Sequence, residues 1–269
     1  MTEGDRMTAA DYLHAGDLSA AVAAAVERVK PRPGDRAARW QLAELLLLSG
    51  DLQRADTHLS NLDAGDAPDA PAARTARQLV RAEAGRREVF AAGGVPGFLD
   101  TPPEHVKRSL SALLHLRAGD PQAAREAVEA AEAARPVVPV QLDGGTARPI
   151  RDLDDVTAGV LEALSPTGEY YWVPWELIAA VEFTPPARPR DLWVRSARWS
   201  LKSGHNGLLF VPVTYPDSAT AGPAFALARQ TDYQPGPPVR GVGQRELLIG
   251  DDGHSLLAVK NLTFVGIDS

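Results

Sequence analysis

The chain has 269 residues, of which 44% are hydrophobic and 23% charged, with a net charge of −7 and no cysteine. That acidic balance lacks the positive excess through which proteins release phosphate counterions, which argues against a nucleic-acid binder. Without cysteine there are no disulfides, thiolate nucleophiles, iron–sulfur clusters or Cys-ligated zinc, and a reducing cytoplasm is the expected compartment. The opening MTEGDRMTAADYLHAGD has early acids and no basic run leading into an apolar one, so no secretory signal is expected. The apolar stretches are short, such as 45–48 and 208–213, and fall far short of the roughly 20 residues that span a bilayer, so no membrane contact is expected.

The first half reads as helix. Thirty-one of the 44 alanines lie at or before Ala134, and alanine is the strongest helix former. The half also repeats. Ala15-Gly16-Asp17-Leu18 returns as Ser49-Gly50-Asp51-Leu52 and as Ala118-Gly119-Asp120-Pro121, with a weaker copy at Ala84-Gly85-Arg86. The glycines are 34, 35 and 34 residues apart. Ala21, Ala55, Phe90 and Ala124 follow at a fixed offset, and Pro33, Pro68, Pro102 and Pro136 come near the end of each unit. This resembles the tetratricopeptide repeat, a unit of two antiparallel helices. In that reading glycine ends the first helix, the alanine lets the second approach closely, and proline stops it. Leu42, Ala43 and Leu46 form the apolar stripe of a first helix. The third unit is expected to be degenerate, because 92–97 interrupts its second helix. Stacked helix pairs form a superhelix with a concave face that takes an extended or helical peptide. Trp40, Glu44, Leu47 and Leu48 fall near that face, and packing of Trp40 and the leucines in the interhelix core is the alternative. Residues 1–136 are expected to fold as a helical unit.

A join at 135–149 carries three prolines and the Asp143-Gly144-Gly145 turn signal. Residues 137–269 then read as β-rich, since 12 of the 16 aromatic residues lie at or after Tyr170. The order expected is the acidic run Arg151-Asp152-Leu153-Asp154-Asp155, a short helix through Leu164, then strands. The strands fall at 170–178, 181–183, 197–202 and 208–213, with a hairpin turn at 202–207 and a helical turn or two at 224–229. The fold class is α+β: a tetratricopeptide-like superhelix followed by a barrel-like β-rich domain.

Five strings in this half, YYWVPWELI, RDLW, VPVTYPDS, LARQTDY and GVGQREL, carry a resemblance to the ImpE/TagJ family of type VI secretion accessory proteins. Tyr170, Tyr171, Trp172 and Pro174 match the family's tyrosine–tryptophan–proline signature. Arg190, Asp191, Leu192 and Trp193 match its RDLW element, and Tyr215 and Ser218 its tyrosine-and-serine turn. Leu227, Arg229 and Thr231 match a leucine–arginine–threonine segment, and Gly241, Gly243, Gln244 and Arg245 a glycine–glutamine–arginine element. The resemblance spans about residues 10–265. It implies a cytoplasmic accessory role, binding the small subunit of a contractile sheath and linked to the ATPase that recycles the sheath. It supplies no catalytic residues.

The enzyme readings are weak. Asp152 and Asp154 could hold Mg²⁺ for a small hydrolase, but aspartates at a helix start are the simpler account. His14, His58, His105, His115, His205 and His254 form no metal-spaced pair, and no P-loop or GxSxG occurs. Gly241-Val242-Gly243 lacks the rest of a dinucleotide fingerprint. The basic run Arg188, Arg190, Arg195, Arg198 and Lys202, interleaved with Trp193 and Trp199, is expected on a solvated strand face and not on nucleic acid. No catalytic, cofactor-binding or metal-ligating residue is expected. The leading reading is a secretion adaptor, and a generic peptide-binding repeat scaffold is the alternative.

Overall fold

The computed structural model describes residues 7–266. The first six residues, on which part of the argument against a signal rests, lie outside them. Seven helices come first: α1 (Ala9–Ala15), α2 (Leu18–Val29), α3 (Arg36–Leu48), α4 (Leu52–Asp63), α5 (Ala70–Ala91), α6 (Glu104–Arg117) and α7 (Pro121–Ala134). The repeated Gly-Asp pair explains three of the turns. Gly16, Gly50 and Gly119 take left-handed backbone, with φ of 86°, 79° and 73°. The N–H groups of Asp17, Asp51 and Asp120 donate back to Tyr12, Leu46 and His115, each at 2.9 Å. The same aspartates then cap the next helix, accepting from the N–H groups of Ala20, Arg54 and Ala123. One dipeptide thus ends one helix and starts another. Ala21, Ala55 and Ala124, the small residues of the repeat, are 0% exposed.

The third unit departs from this pattern. Gly85 does not end a helix but lies inside α5, where a Cβ would meet Tyr170 at 4.0 Å. Its second helix is missing, and the chain from 92 to 103 runs to the sheet instead. There Gly97 donates to the Tyr170 carbonyl at 2.8 Å and accepts from Trp172 N–H at 3.2 Å. The loop thereby covers an edge strand that would otherwise expose its backbone.

The strands are β1 (Pro139–Leu142), β2 (Arg148–Asp152), β3 (Val160–Leu164), β4 (Tyr170–Pro174), β5 (Ile178–Phe183), β6 (Val194–Leu201), β7 (Asn206–Pro212), β8 (Thr231–Gln234), β9 (Arg240–Gly243), β10 (Glu246–Ile249), β11 (Asp252–Ser255) and β12 (Asn261–Phe264). Two short helices sit between β7 and β8: α8 (Ser218–Ala221), where no helix was expected, and α9 (Pro223–Ala226), which overlaps the helical turn expected at 224–229. Ten strands form one antiparallel sheet in the order β11-β10-β2-β1-β12-β5-β6-β7-β3-β4, and β8 pairs with β9. Six strand spacings separate β2 from β3, about 29 Å in a flat sheet. Yet Asp152 N–H at the end of β2 donates to Ala158, two residues before β3, at 3.2 Å. The sheet therefore curls back on itself. Its edge strands β11 and β4 are not paired with each other, so the barrel-like expectation takes the form of an open roll.

The helix expected through Leu164 is not formed. Residues 153–159 turn, and 160–164 are strand β3. All five residues of β3 are buried, so the alternation that marks a half-buried strand is lost. Val160, Leu164, Tyr170 and Trp172 join the core of the helical layer. Leu161, Ala163, Val173 and Trp175 face a second core inside the roll. Helix gives way to strand between Ala134 and Pro139, but one buried core crosses that point.

Candidate functional site

The densest chemistry lies where α5 meets the sheet. Glu162, 0% exposed at the centre of β3, is the hub. Arg86 of α5 donates through Nε to its Oε1 at 2.7 Å and through Nη2 to the Thr214 carbonyl at 2.9 Å. Arg245, in the turn between β9 and β10, binds both Glu162 and Asp152. The Tyr170 hydroxyl also donates to Glu162, and Trp172 Nε1 donates to that hydroxyl at 2.5 Å. Tyr215 donates to Asp152 Oδ1 at 3.0 Å, and Arg240 donates to Asp154 Oδ2 at 2.8 Å. Arg86, Arg245 and three carboxylates are thus joined out of water, with Arg240 at the partly exposed edge, an arrangement that needs nearly every charge paired.

Asp152 and Asp154 therefore do not start a helix. Their carboxylates also take backbone N–H groups two residues on, Asp154 and Val156, each at 2.9 Å. These turns hold the 153–159 segment, and the remaining oxygens face arginines. Among the described residues no cluster of His, Cys, Asp and Glu is arranged to hold a metal ion. Burial pushes the Asp152 carboxyl above its ordinary value, and Arg245 opposes the shift. Burial likewise lowers Arg245.

The signature residues are distributed around this junction. Tyr170, Trp172 and Arg245 belong to the network. Tyr171 points to the other face of β4, where its ring blocks any side chain at Gly97, and Pro174 pairs with Val160 at the strand end. Arg229 reaches the helical layer, donating to the Leu13 carbonyl of α1 at 2.7 Å. Gln244 donates to the Ala228 carbonyl at 2.8 Å. Asp191 accepts from the N–H groups of Ala187 and Arg188, while Arg190 pairs with Asp191 and stacks on Phe210, and Trp193 is buried in the shared core. Arg86 and Glu162 were not singled out in the sequence. A lone glutamate in the apolar run 160–164 was the available signal, because a buried carboxylate demands cationic partners.

Gly243 shows how tight this region is. Its φ is +87°, and a Cβ would lie 1.9 Å from the Gln230 carbonyl oxygen. Gly243→Ala is expected to cost about 3 kcal/mol or more. Chemical denaturation checks this, and a loss below about 1 kcal/mol would show that the 230–243 approach relaxes freely.

The basic run is not uniformly solvated. Arg195 is 2% exposed, donates to the carbonyls of Val259 at 2.8 Å and Thr184 at 3.0 Å, and stacks on Phe183. It closes the roll from inside, while Arg198 and Lys202 are at the surface.

Burial also raises the hydroxyls of Tyr170, Tyr215 and Tyr233 above the ordinary 10.0. In the unfolded chain these groups ionise near 10.0, before they do in the fold. Stability from them is thus complete below that pH and is lost as the pH rises beyond it. Tyrosinate absorbance from these three should grow together with loss of circular dichroism, in one step. Their ionisation in a chain that remains folded would show the network open to water.

The residues predicted to bind a partner have different fates. Trp40 of α3 is half-buried, and its Nε1 donates to Asp69 Oδ2 at 2.7 Å. Glu44 is 5% exposed and pairs with Arg188. Leu47 and Leu48 are each 2% exposed and support this face from within the core. A shallow groove runs past Trp40 between Ala37, Glu44, Ala72 and Pro189.

These features define a class: an α+β protein in which paired helices and a rolled antiparallel sheet share one core, pinned by a buried ion network. The ImpE protein family matches residues 144–263. The type VI secretion system accessory component TagJ of Pseudomonas aeruginosa is 31% identical over 98% of this chain and 93% of its own length. The crystal structure of protein VPA1032 from Vibrio parahaemolyticus has a TM-score of 0.89 at 25% identity, covering 96% of this chain and 97% of that one. The chain belongs to the ImpE/TagJ family.

Proposed function

We propose that the protein is a non-catalytic accessory component of a type VI secretion system, an adaptor working in the cytoplasm. The observation that carries this is the 31% identity with a type VI accessory component, which extends over nearly the full length of both chains. In this reading the helical layer is a tetratricopeptide-like superhelix with a degenerate third unit. The three identical Gly-Asp turns support it. The groove beside Trp40 takes a segment of the small sheath subunit, and the adaptor is thereby linked to the sheath-recycling ATPase. No helix of the described residues is long and apolar enough to cross a membrane.

The test is titration of the purified small sheath subunit against the full-length protein. Trp40→Ala should weaken binding at least about tenfold, which corresponds to about 1.4 kcal/mol. The melting temperature is the control, since Trp40 also holds Asp69. A variant that melts like the parent and binds unchanged would place the partner site elsewhere.

A further inference from the structure

One wall of the Trp40 groove is supplied by the sheet. Residues 184–192 connect β5 to β6 and carry prolines at 185, 186 and 189. Asp191 fixes their shape by accepting from Ala187 and Arg188 N–H groups at 2.8 and 3.0 Å. That shape delivers Arg188 to α3. Its guanidinium carbon lies 5.2 Å from the centre of the Trp40 ring, and its Nε donates to Glu44 Oε1 at 2.6 Å. An indole face with a carboxylate at its edge is a seat for a planar guanidinium.

The two ends of this contact are unequal. Glu44 is fixed in a helix and buried. Arg188 is 41% exposed along its side chain, and residues 184–187 beside it are exposed. Lifting the strap away would take from Glu44 its ion-pair partner Arg188 and the nearby Arg190, a loss of cations that a carboxylate fixed among apolar neighbours resists. Arg36, the other cation at the groove, is bound to Asp69 and to the Leu62 carbonyl. The groove therefore opens at low cost only to a ligand that brings a cation of its own.

We propose that Arg188 is an internal occupant of an arginine seat on the helical layer, and that a partner segment enters the groove by replacing it with an arginine. This rests on the reading of the groove as the partner site. Lysine would supply the charge but not the plane that stacks on Trp40, so the seat discriminates between the two.

The probe is N-acetyl-arginine amide, titrated into full-length protein by calorimetry. Arg188→Ala should bind it at least about tenfold more tightly than the parent does, and more tightly than it binds the lysine counterpart. Adding Glu44→Gln or, as a second route if that variant is poorly folded, Trp40→Leu should abolish the gain. Equal binding by parent and Arg188→Ala, or none by Arg188→Ala, overturns the seat. The small sheath subunit separates the two readings. It should bind Arg188→Ala at least about tenfold more tightly than the parent, the factor lost when a strap holds the groove closed about nine-tenths of the time or more. Equal, tight binding to both removes the displacement and leaves the adaptor reading standing. Binding to neither, while the arginine probe still selects Arg188→Ala, removes the sheath subunit as partner and leaves the seat standing.

Discussion

Replacing Glu162 with Ala is expected to lower the unfolding free energy by about 3–5 kcal/mol, because two buried arginines each lose a carboxylate partner, leaving Asp152 to Arg245 and only a long contact with Glu83 to Arg86. Glu162 receives Arg86 from the helical layer and Arg245 from the sheet. Both guanidiniums would then face a cavity, with Arg86 keeping only the edge of Glu83 at 3.5 Å and the Thr214 carbonyl. At about 2–4 °C per kcal/mol for a chain of this size, the melting temperature should drop by roughly 10 °C. Glu162→Gln keeps the shape and one acceptor but not the charge, and should fall between the two. Urea unfolding followed by circular dichroism checks the order. A cost below about 1 kcal/mol for the alanine variant would mean that water enters and solvates the arginines, and the network would then be no lock.

The same network shows why the sequence was readable in some places and opaque in others. Gly16, Gly50 and Gly119 announce themselves because the turn that needs their left-handed backbone is local, and the aspartate that follows is its neighbour in sequence. The hairpin turn at 202–207 is legible for the same reason. Asp152 and Asp154 were misread because their partners, Arg245 and Arg240, lie about ninety positions away. Seen alone, aspartates before an apolar run favour a helix start, and only the distant arginines fix them as turn-formers instead. Gly85 illustrates the converse failure. It keeps the repeat's phase but lies within a helix that meets the sheet, so position in the period did not determine its role. The family strings Tyr170–Pro174 and 241–247 were recognisable as strings. That Tyr170, Trp172 and Arg245 converge on one glutamate could be learned only from the fold.

A fragment comprising residues 1–135 is expected not to fold cooperatively, against the independence that the repeat pattern suggested. The reason lies in what the sheet covers. Glu83 and Arg86 of α5 are 5% and 4% exposed, and Arg86 has its main counterion on β3. Glu44 of α3 has Arg188, and the carbonyl of Leu13 in α1 has Arg229, both from the C-terminal half. Trp172, Trp193 and Phe210 fill the same apolar cluster as Leu47, Leu48 and Val89. Cutting at 135 exposes that cluster, takes Arg188 from Glu44, and leaves Arg86 only its long contact with Glu83. Terminal repeats of a self-standing array carry a polar outer face, and the face of α5 that meets β3 and β4 is not one. The fragment should show weak, non-cooperative helical circular dichroism and bind a hydrophobic dye, whereas the full chain melts in one transition. Adding residues 136–269 in trans should restore helicity if the shared core is what the fragment lacks. A fragment that melts sharply at the parent's temperature would show instead that the helices hold their own core and that the ion network merely docks two finished parts.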